Sequence, residues 1–402
     1  MRIAIYGIGG LYNYGCEAIV RGTIEFIRKN YNNPQITYYS RNYKDDLSLA
    51  KELEIQIVSI ERKYTFFKKC ISKLIDFSEL PIIPFLKDEF KLIIENSDIV
   101  FSIGGDIYTI PKYLRERKHY RYVNYLVEFG EYALKYDVKI IIYGASIGPF
   151  GEYKKAKNYY LEHFKKVEKI ICREIETKQY LNDNGINKNV ILLPDPAYLV
   201  QDTNIMDKTP RYIGINLSAL SLQEVYGKSI ENITSRVSLM IEKIYLRTNI
   251  PILLIPHVIS PHTPIDNDFK FLEKIYYNIK DELKPYIKVV KPISFIDTKN
   301  YLKECKIVVA ARMHCAVNAI TVGTPAIFIA YSQKAIGMSN FVYGKKEWCI
   351  SINDMDKDLA DMIIKLLNKE EIVRKFINKR IYEIQKIYDR YFLETKKKYI
   401  EK

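Results

Sequence analysis

Short, continuously apolar segments that alternate with helical patterns constrain this chain most. In the first half, the predicted strands lie at residues 2–6, 37–40, 98–103, 139–143, 169–172 and 190–193. In the second half, they lie at residues 212–217, 250–255, 287–290, 307–311 and 326–330. Strands without a polar face are typical of parallel sheets that helices cover on both sides. The pattern therefore predicts an α/β fold.

A polar linker at residues 201–211, which contains Pro210, separates the two series of strands. Because the pattern restarts after it, we expect two Rossmann-like domains that face a cleft. The predicted boundaries are 1–203 for the N-terminal domain and 204–356 for the C-terminal domain. Residues 357–402 are predicted to be helices that cross back toward the N-terminal domain.

The charge of the chain favours anionic partners. Its 402 residues include 62 Lys and Arg against 48 Asp and Glu, a formal net charge of +14. Such a surplus suits nucleic acid, an acidic membrane surface or phosphorylated substrates, although a solvated Lys-rich surface is the simpler source of most of it. The basic residues do not form a nucleic-acid motif with interleaved aromatic residues, so no nucleic-acid partner is expected.

Cysteine spacing and hydropathy indicate the compartment. The six cysteines, at positions 16, 70, 172, 305, 315 and 349, form no CxxC pair. This spacing fits reduced thiols in the cytoplasm, and no metal site or cofactor is expected. The start MRIAIYGIGG does not resemble a signal peptide, and no apolar run of about 18 residues is present. We expect a cytoplasmic protein, for which peripheral contact with the inner face of an anionic membrane is compatible.

Ligands of open α/β sheets bind beyond the carboxyl ends of the strands, so the residues at strand ends are the candidates. The first such loop, GIGGLYNYGCEA, is neither a dinucleotide fingerprint, because Tyr12 replaces the third glycine, nor a phosphate-binding loop with GK[ST]. Asn13 and Glu17 open the helix that follows. Turn chemistry and a polar acceptor site explain these two residues about equally well.

The sharpest group of candidates is Arg312, Met313 and His314, which follow a buried strand and open a helix. An arginine there can grip a carboxylate or phosphate with two parallel hydrogen bonds, and the helix N-terminus adds backbone N–H donors. Lys334 follows the next strand, so it can reach the same place. His314 suits general acid–base catalysis. The alternative is that Arg312 and His314 cap carbonyl groups or pair with a nearby acid.

Other charged residues also follow strands. Arg173 is a second candidate for an anion contact, with an ion pair to Glu174, Glu176 or Asp195 as the structural alternative. His257 ends the strand ILLIPH, where a hydrogen-bonded turn histidine is the alternative. Two further histidines lie in lysine-rich or helical surroundings and are predicted to be surface residues: His119 and His163.

The order of these motifs resembles the polysaccharide pyruvyltransferase family. The matching segments are YGIGGLYNYGCEAI, FSIGGDIY, YGASIGPF, ICREIETKQYL, LPDPAYL, IGINLS, LIPH and VVAARMHCAVNAITVGTPAIFIAYSQK, over roughly residues 1–340. The resemblance implies a GT-B-type fold and transfer of pyruvate from phosphoenolpyruvate to a sugar as a cyclic ketal. It also implies a role in the biosynthesis of cell-envelope, capsular or exopolysaccharide glycans, with a sugar or lipid-linked oligosaccharide as acceptor. Where family members often have three glycines, this chain has Gly104, Gly105 and Asp106.

The resemblance also assigns roles to residues. It implies that Arg312, the Met313 backbone, His314, Arg173 and Lys334 bind the donor, with His314, Arg312 and Lys334 catalytic. On the acceptor side, which it assigns to the N-terminal domain, it implies the following residues: Asn13, Glu17, Gly105, Asp106 and His257.

Two other functions stay open at this point. The same fold suits a glycosyltransferase that uses a nucleotide sugar, although no clear acidic residue for a ribose follows the strand at 307–311. The other is a non-catalytic protein that binds an anionic polymer or a membrane surface, which the net charge permits.

Overall fold

The structure is a computed structural model that describes residues 1–61, 82–200, 206, 209–227, 229–331 and 333–400. The chain divides into two compact units. The first comprises Met1–Leu11, Ile19–Pro196 and Ile387–Lys402, and the second comprises Tyr12–Ala18 and Ala197–Lys386. The boundary predicted between residues 203 and 204 lies outside the described residues.

The first unit contains a seven-stranded parallel sheet. Its strands are β1 (Arg2–Tyr6), β2 (Gln35–Ser40), β3 (Gln56–Ser59), β4 (Ile99–Ile103), β5 (Lys139–Tyr143), β6 (Lys169–Cys172) and β7 (Val190–Leu192). Their order is β3-β2-β1-β4-β5-β6-β7, with every neighbouring pair parallel. The helices of this half of the chain span Tyr14–Asn30, Tyr43–Glu52, Lys87–Glu95, Lys112–Arg115, Tyr125–Leu134, Lys154–Lys166 and Ile175–Asp183.

The second unit contains a six-stranded parallel sheet. Its strands are β8 (Tyr212–Asn216), β9 (Ile252–Leu254), β10 (Ile287–Val289), β11 (Cys305–Ala310), β12 (Ala326–Ala330) and β13 (Cys349–Ser351). Their order is β10-β9-β8-β11-β12-β13, again all parallel. Its helices span Ala219–Tyr226, Ile230–Thr248, Asp268–Tyr277, Phe295–Lys303, Met313–Thr321, Gln333–Tyr343, Met355–Leu367 and Glu370–Ile400.

Both sheets confirm the predicted α/β class with two Rossmann-like units. The central strands carry no polar face: all five residues of β4 and all five of β12 are buried. A strand buried on both sides is stabilised by helices on both faces, which explains the continuous apolar runs in the sequence. The pattern did not predict β3 and β13, because both are edge strands that are only partly buried.

The last helix, Glu370–Ile400, contributes to both units. In the first unit, the Tyr388 hydroxyl donates a hydrogen bond to the Pro194 carbonyl oxygen over 2.6 Å. The Tyr391 ring stacks on Phe26 with centroids 5.6 Å apart. The end of the last helix, from Ile387, thus belongs to the unit that contains the beginning of the chain, whereas residues 357–386 belong to the second unit. Among the described residues, no helix combines the length and apolar character needed to cross a membrane.

Candidate functional site

Each sheet has one place where the strand order reverses, and ligands of such folds bind beyond the strand ends there. In the first unit this place lies between β1 and β4, and in the second between β8 and β11. At the first, Gly7 has φ +129°, and a Cβ on it would come within 2.4 Å of the Ile103 carbonyl oxygen. Only glycine allows the two loops to approach this closely.

Arg312 lies at the reversal point of the second sheet. Its backbone N–H donates to Asn216 Oδ1 over 3.0 Å, which joins the ends of β11 and β8. Its guanidinium donates from Nη2 to Asp268 Oδ1 over 2.9 Å and to Asp266 Oδ1 over 2.7 Å. Burial acts to lower the pKa of Arg312, but the carboxylates of Asp268 and Asp266 outweigh burial and raise that pKa above its ordinary value. Arg312 therefore stays charged.

These ion pairs are the structural alternative that the sequence offered for Arg312. Sequence reasoning missed both carboxylates. Asp266 and Asp268 lie in and after the loop that follows β9, and Asp268 begins the helix Asp268–Tyr277. An acidic residue in the first turn of a helix is common, so the sequence alone carried no signal for a partner of Arg312.

Asp268 is the most connected side chain of this site and is 1% exposed. Its Oδ2 accepts hydrogen bonds from the backbone N–H groups of His257 and Val258, over 3.1 and 3.0 Å, and from Asn216 Nδ2 over 3.3 Å. Its Oδ1 accepts from Arg312. One buried carboxylate thus fixes the loops that follow β8, β9 and β11 relative to one another.

His257 is fully buried. Its Nε2 lies 2.9 Å from Asn318 Nδ2, within hydrogen-bond distance. Burial, and then the nearby charges of His314 and Arg312, hold the pKa of His257 well below its ordinary value of 6.5, so the ring is neutral. Direct contact with an acceptor would require this ring to become exposed, and the predicted acceptor-binding role stays a prediction.

The segment Tyr12–Ala18 belongs to the second unit, although it follows β1 of the first. Asn13 forms an antiparallel bridge with Val258, and the Tyr14 N–H donates to the His257 carbonyl oxygen over 3.0 Å. Asn13 Oδ1 also accepts from the Gly15 N–H over 2.9 Å and caps the helix Tyr14–Asn30. This is the turn chemistry that the sequence offered as one explanation.

Glu17 is also part of this segment and is 7% exposed. Burial, followed by the charge of Glu17, raises the pKa of the neighbouring Tyr14 hydroxyl. The structure thus brings Asn13 and Glu17 into the unit that contains Arg312 and His257, whereas the sequence placed them in the N-terminal domain. A contact with an acceptor stays a prediction for both residues.

Three further candidates lie at the same edge of the second sheet. Met313 and His314 form the start of the helix Met313–Thr321, and both are half-buried. Lys334 lies in the first turn of the helix Gln333–Tyr343, just after β12, and is also half-buried. Since β11 and β12 are neighbours, all three residues follow adjacent strand ends, as the sequence predicted.

The first unit holds a second arginine site around Arg173, whose side chain is 1% exposed. Its Nη1 donates to the fully buried Asp195 over 2.8 Å, and its Nη2 donates to Ser146 Oγ over 3.2 Å. Burial acts to lower the pKa of Arg173, and the charge of Asp195, followed by that of Glu174, raises it overall. This is the ion pair that the sequence named as the structural alternative, and the donor-binding role stays a prediction.

Gly105 and Asp106 lie beside this arginine, after β4. A Cβ on Gly105 would lie 3.5 Å from Arg173 Nη2, and Asp106 Oδ1 lies 3.8 Å from the same nitrogen. The Asp106 side chain is 60% exposed, so a ligand can reach its carboxylate. Gly105, Asp106 and Arg173 therefore form one group in the first unit, and the remaining candidates form another in the second.

His163 was predicted to be a surface residue, and this prediction is wrong. Its side chain is 1% exposed, and its Nδ1 lies 3.0 Å from Glu131 Oε1. A Cβ on Gly130 would come within 2.2 Å of its ring, so a glycine leaves the space that the ring occupies. The lysine-rich helix Lys154–Lys166 hid this buried position, because His163 lies on its inner face.

The architecture defines a class of protein. This chain has two Rossmann-like units, with the strand order 3-2-1-4-5-6 in the second and its extension by one strand in the first. Solved structures with low sequence identity to this chain share its overall fold. UDP-GlcNAc 2-epimerase from Neisseria meningitidis bound to UDP-GlcNAc is 11% identical, with a TM-score of 0.61, over 99% of this chain and 100% of that chain. The epimerase from Methanocaldococcus jannaschii is 14% identical, with a TM-score of 0.58, over 92% and 93%.

Anabaena Alr3699/HepE in complex with UDP and glucose is 10% identical, with a TM-score of 0.57, over 100% of this chain and 98% of that chain. At these identities the similarity shows the fold, which is the GT-B-type fold class that the sequence predicted. Among curated proteins, no significant match is found.

The family is shown by the sequence itself. Residues 13–333 match the family model of polysaccharide pyruvyl transferase, which is most of the chain. The chain belongs to this family and is a polysaccharide pyruvyltransferase, so the resemblance drawn from the strand-end motifs is confirmed. The match includes Asn13, Arg173 and the segment Arg312–His314.

Proposed function

We propose that this enzyme takes pyruvate from phosphoenolpyruvate and attaches it to a sugar as a cyclic ketal. The observation that carries the proposal is the position of Arg312 and His314 at the reversal point of the second sheet, where a helix begins. Phosphoenolpyruvate carries a phosphate and a carboxylate, so its site needs cations and N–H donors at fixed positions. Arg312, the Met313 backbone, His314 and Lys334 supply such groups.

The reaction needs proton transfer and stabilisation of a departing phosphate. A proton added to the methylene carbon of phosphoenolpyruvate makes C2 electrophilic, and a sugar hydroxyl attacks C2 and loses its proton. The bond from C2 to the phosphate oxygen breaks and phosphate leaves. A second hydroxyl of the sugar then attacks C2 and loses its proton, which closes the ketal. In this proposal His314 transfers the protons, while Arg312 and Lys334 stabilise the charge that develops on the phosphate.

In the first unit, Arg173 is proposed as a further anion contact of the donor. Asp106, which is 60% exposed beside it, is proposed with Gly105 as a contact for hydroxyl groups of the acceptor. A carboxylate accepts hydrogen bonds from a sugar hydroxyl pair, which suits this role. The proposed acceptor is a sugar of a polysaccharide or of a lipid-linked oligosaccharide. Asn13 and Glu17, at the start of the helix Tyr14–Asn30, are also proposed to contact the acceptor.

A nucleotide-sugar donor is the second candidate. It is favoured by the similar solved structures, of which one is bound to UDP-GlcNAc and one contains UDP and glucose. Such a donor also carries phosphates that an arginine and a helix N-terminus can bind. The family match favours pyruvyl transfer, and a direct comparison of the two donors decides between them.

Peripheral contact with an anionic membrane is proposed as well, because a lipid-linked acceptor would lie there. In the second unit, the helix that begins at Glu370 exposes a row of residues at intervals of three and four: Ile372, Lys375, Lys379, Tyr382 and Lys386. We call this row the outer stripe. Ile372 is 71% and Tyr382 is 60% exposed, and among the described residues none of the three lysines forms an ion pair. Apolar and basic side chains on one helix face suit the surface of an anionic bilayer.

The test compares both donors on the purified protein. Calorimetry measures binding of phosphoenolpyruvate and of UDP-GlcNAc, and a second assay follows phosphate release and product mass with a panel of aryl and lipid-linked glycosides. We expect phosphoenolpyruvate to bind, and phosphate release to accompany formation of a pyruvyl ketal on one glycoside. Binding of UDP-GlcNAc without binding of phosphoenolpyruvate would replace this proposal with glycosyl transfer.

A further inference from the structure

The guanidinium of Arg312 is shared by two carboxylates that differ in their surroundings. Nη2 donates to Asp268 Oδ1 over 2.9 Å and to Asp266 Oδ1 over 2.7 Å. The side chain of Asp268 is 1% exposed, and that of Asp266 is 28% exposed. Two negative charges surround one positive charge, so this group of three side chains carries a net negative charge. While Asp266 is paired with Arg312, these three side chains by themselves do not attract an anionic donor.

Asp268 is fixed in place. Its second oxygen accepts the backbone N–H groups of His257 and Val258 and the amide of Asn216. Moving this carboxylate would leave several buried donors without an acceptor, which is energetically costly. The carboxylate of Asp268 therefore stays with Arg312 when a ligand binds.

Asp266 has fewer constraints. It ends a short 3-10 turn, Pro264–Asp266, in the loop after β9, and its carboxylate is held by Arg312. Asp266 is the more exposed of the two carboxylates on Arg312, so fewer contacts are lost when it leaves the guanidinium than when Asp268 does. Release of Asp266 would free a donor of Arg312 Nη2 for another anion.

We propose that Asp266 occupies the position of a donor anion on Arg312, and that the donor displaces it on binding. The inference rests on the proposed function, since it takes phosphoenolpyruvate as the donor. Asp266 is then the residue that sets donor affinity: it keeps Arg312 paired while the site is empty, and any anion must compete with its carboxylate. Asp268 is the positioning residue that holds Arg312 in the same orientation in both states.

The two aspartates provide a matched pair of variants, because Asp→Asn at either position removes one of the two carboxylates that accept from Arg312 Nη2. Calorimetry with phosphoenolpyruvate is carried out on the wild type, Asp266→Asn, Asp266→Glu, Asp268→Asn and Asp281→Asn. Asp281 is a control for overall charge, since it pairs with Lys284. It lies in the turn before β10, at the amino end of that strand, whereas Arg312 follows the carboxyl end of β11.

We expect Asp266→Asn to bind phosphoenolpyruvate more tightly, on the order of fivefold, because a competing charge is lost. Asp266→Glu keeps the competing charge, so it should not show the tighter binding of Asp266→Asn. Asp268→Asn should bind about tenfold more weakly or worse, since Arg312 and the His257 loop lose a charged acceptor. Asp281→Asn should match the wild type.

Each other result has a defined meaning. If the wild type binds phosphoenolpyruvate and Asp266→Asn binds it equally or more weakly, the inference is wrong, and Asp266 is a fixed part of the site. If none of the proteins binds phosphoenolpyruvate, and every variant has the unfolding temperature of the wild type, the proposed donor is wrong. Tighter binding in Asp281→Asn as well would assign the effect to overall charge and also overturn the inference.

Discussion

Gly15 lies against the imidazole of His314. A Cβ at position 15 would come within 2.8 Å of the His314 Cβ and within 3.0 Å of its Cγ and Nδ1. Gly15 is the second residue of the helix Tyr14–Asn30, where alanine is normally preferred over glycine. The absence of a side chain at position 15 therefore leaves the space that the His314 side chain occupies.

The variant Gly15→Ala tests whether this position matters. The added methyl group must push the His314 ring aside, and a displacement of about 1 Å in a reacting group can lower the rate by about 100-fold. We expect kcat for pyruvyl transfer to fall by about tenfold or more, with a small change in the unfolding temperature.

Gly9→Ala is the matched control, since a Cβ there would meet no atom within 4 Å. Its rate should equal that of the wild type. If Gly15→Ala is fully active, the packing of Gly15 on His314 does not position a catalytic ring.

His314 itself is expected to transfer protons. His314→Ala should lower turnover by about 10²–10⁴-fold, the usual contribution of a general acid–base, while binding of phosphoenolpyruvate changes less. His119→Ala serves as control, because His119 is an exposed histidine in the first unit. Normal turnover in His314→Ala, measured as phosphate release, would remove this residue from the mechanism.

The ion pair of Arg173 and Asp195 should contribute strongly to stability. The exposed fractions of the two side chains are 1% and 0%, so Asp195→Asn leaves a buried guanidinium without its full counter-charge. We expect the free energy of unfolding in urea to fall by about 3 kcal/mol. Asp98→Asn breaks an exposed ion pair with Arg2 and should cost less than about 1 kcal/mol. Equal losses in the two variants would contradict this difference.

The buried His257 should make the enzyme sensitive to mild acid. Its pKa in the folded protein is held well below 6.5, chiefly by burial, so below pH 6.5 the unfolded chain binds a proton that the folded protein does not. Stability is therefore fully present above pH 6.5 and is lost as the pH falls, at up to about 1.4 kcal/mol per pH unit from this group. In His257→Gln the slope of the unfolding free energy against pH should be smaller, by the uptake of about one proton on unfolding. In His119→Gln that slope should equal that of the wild type. Unfolding in urea between pH 5 and 7.5 measures the slopes, and equal slopes would contradict a neutral buried ring.

The outer stripe should bind anionic membranes. Replacing Lys375, Lys379 and Lys386 with Gln should weaken binding to vesicles of phosphatidylglycerol, since each basic residue contributes about 1 kcal/mol near an anionic surface. Replacing Lys165, Lys166 and Lys178, which lie on other helices, changes the net charge equally. Co-sedimentation measures both variants, and equal losses would show that overall charge, not the outer stripe, governs binding.

Much of the fold was predictable because it depends on local patterns. The buried strands of both sheets were found from their continuous apolar runs, and the edge strand Gln56–Ser59 was missed because its burial is incomplete. The placement of Arg312, His314 and Lys334 after adjacent strands was predictable, because parallel strands bring their carboxyl ends to one edge. The position of Asn13 at a helix start was visible, but its place beside Val258 was not.

The sequence by itself determined the α/β class, the family and the residues at the strand ends, because hydrophobic periodicity and short motifs lie within a few neighbouring positions. Only the tertiary structure decided which charges meet. Arg312 pairs with carboxylates 44 and 46 positions away, and Gly15 reaches a histidine almost three hundred positions away. The physical reason is that an ion pair or a steric contact depends on distance in space, which the strand order sets and which no local pattern of residues records.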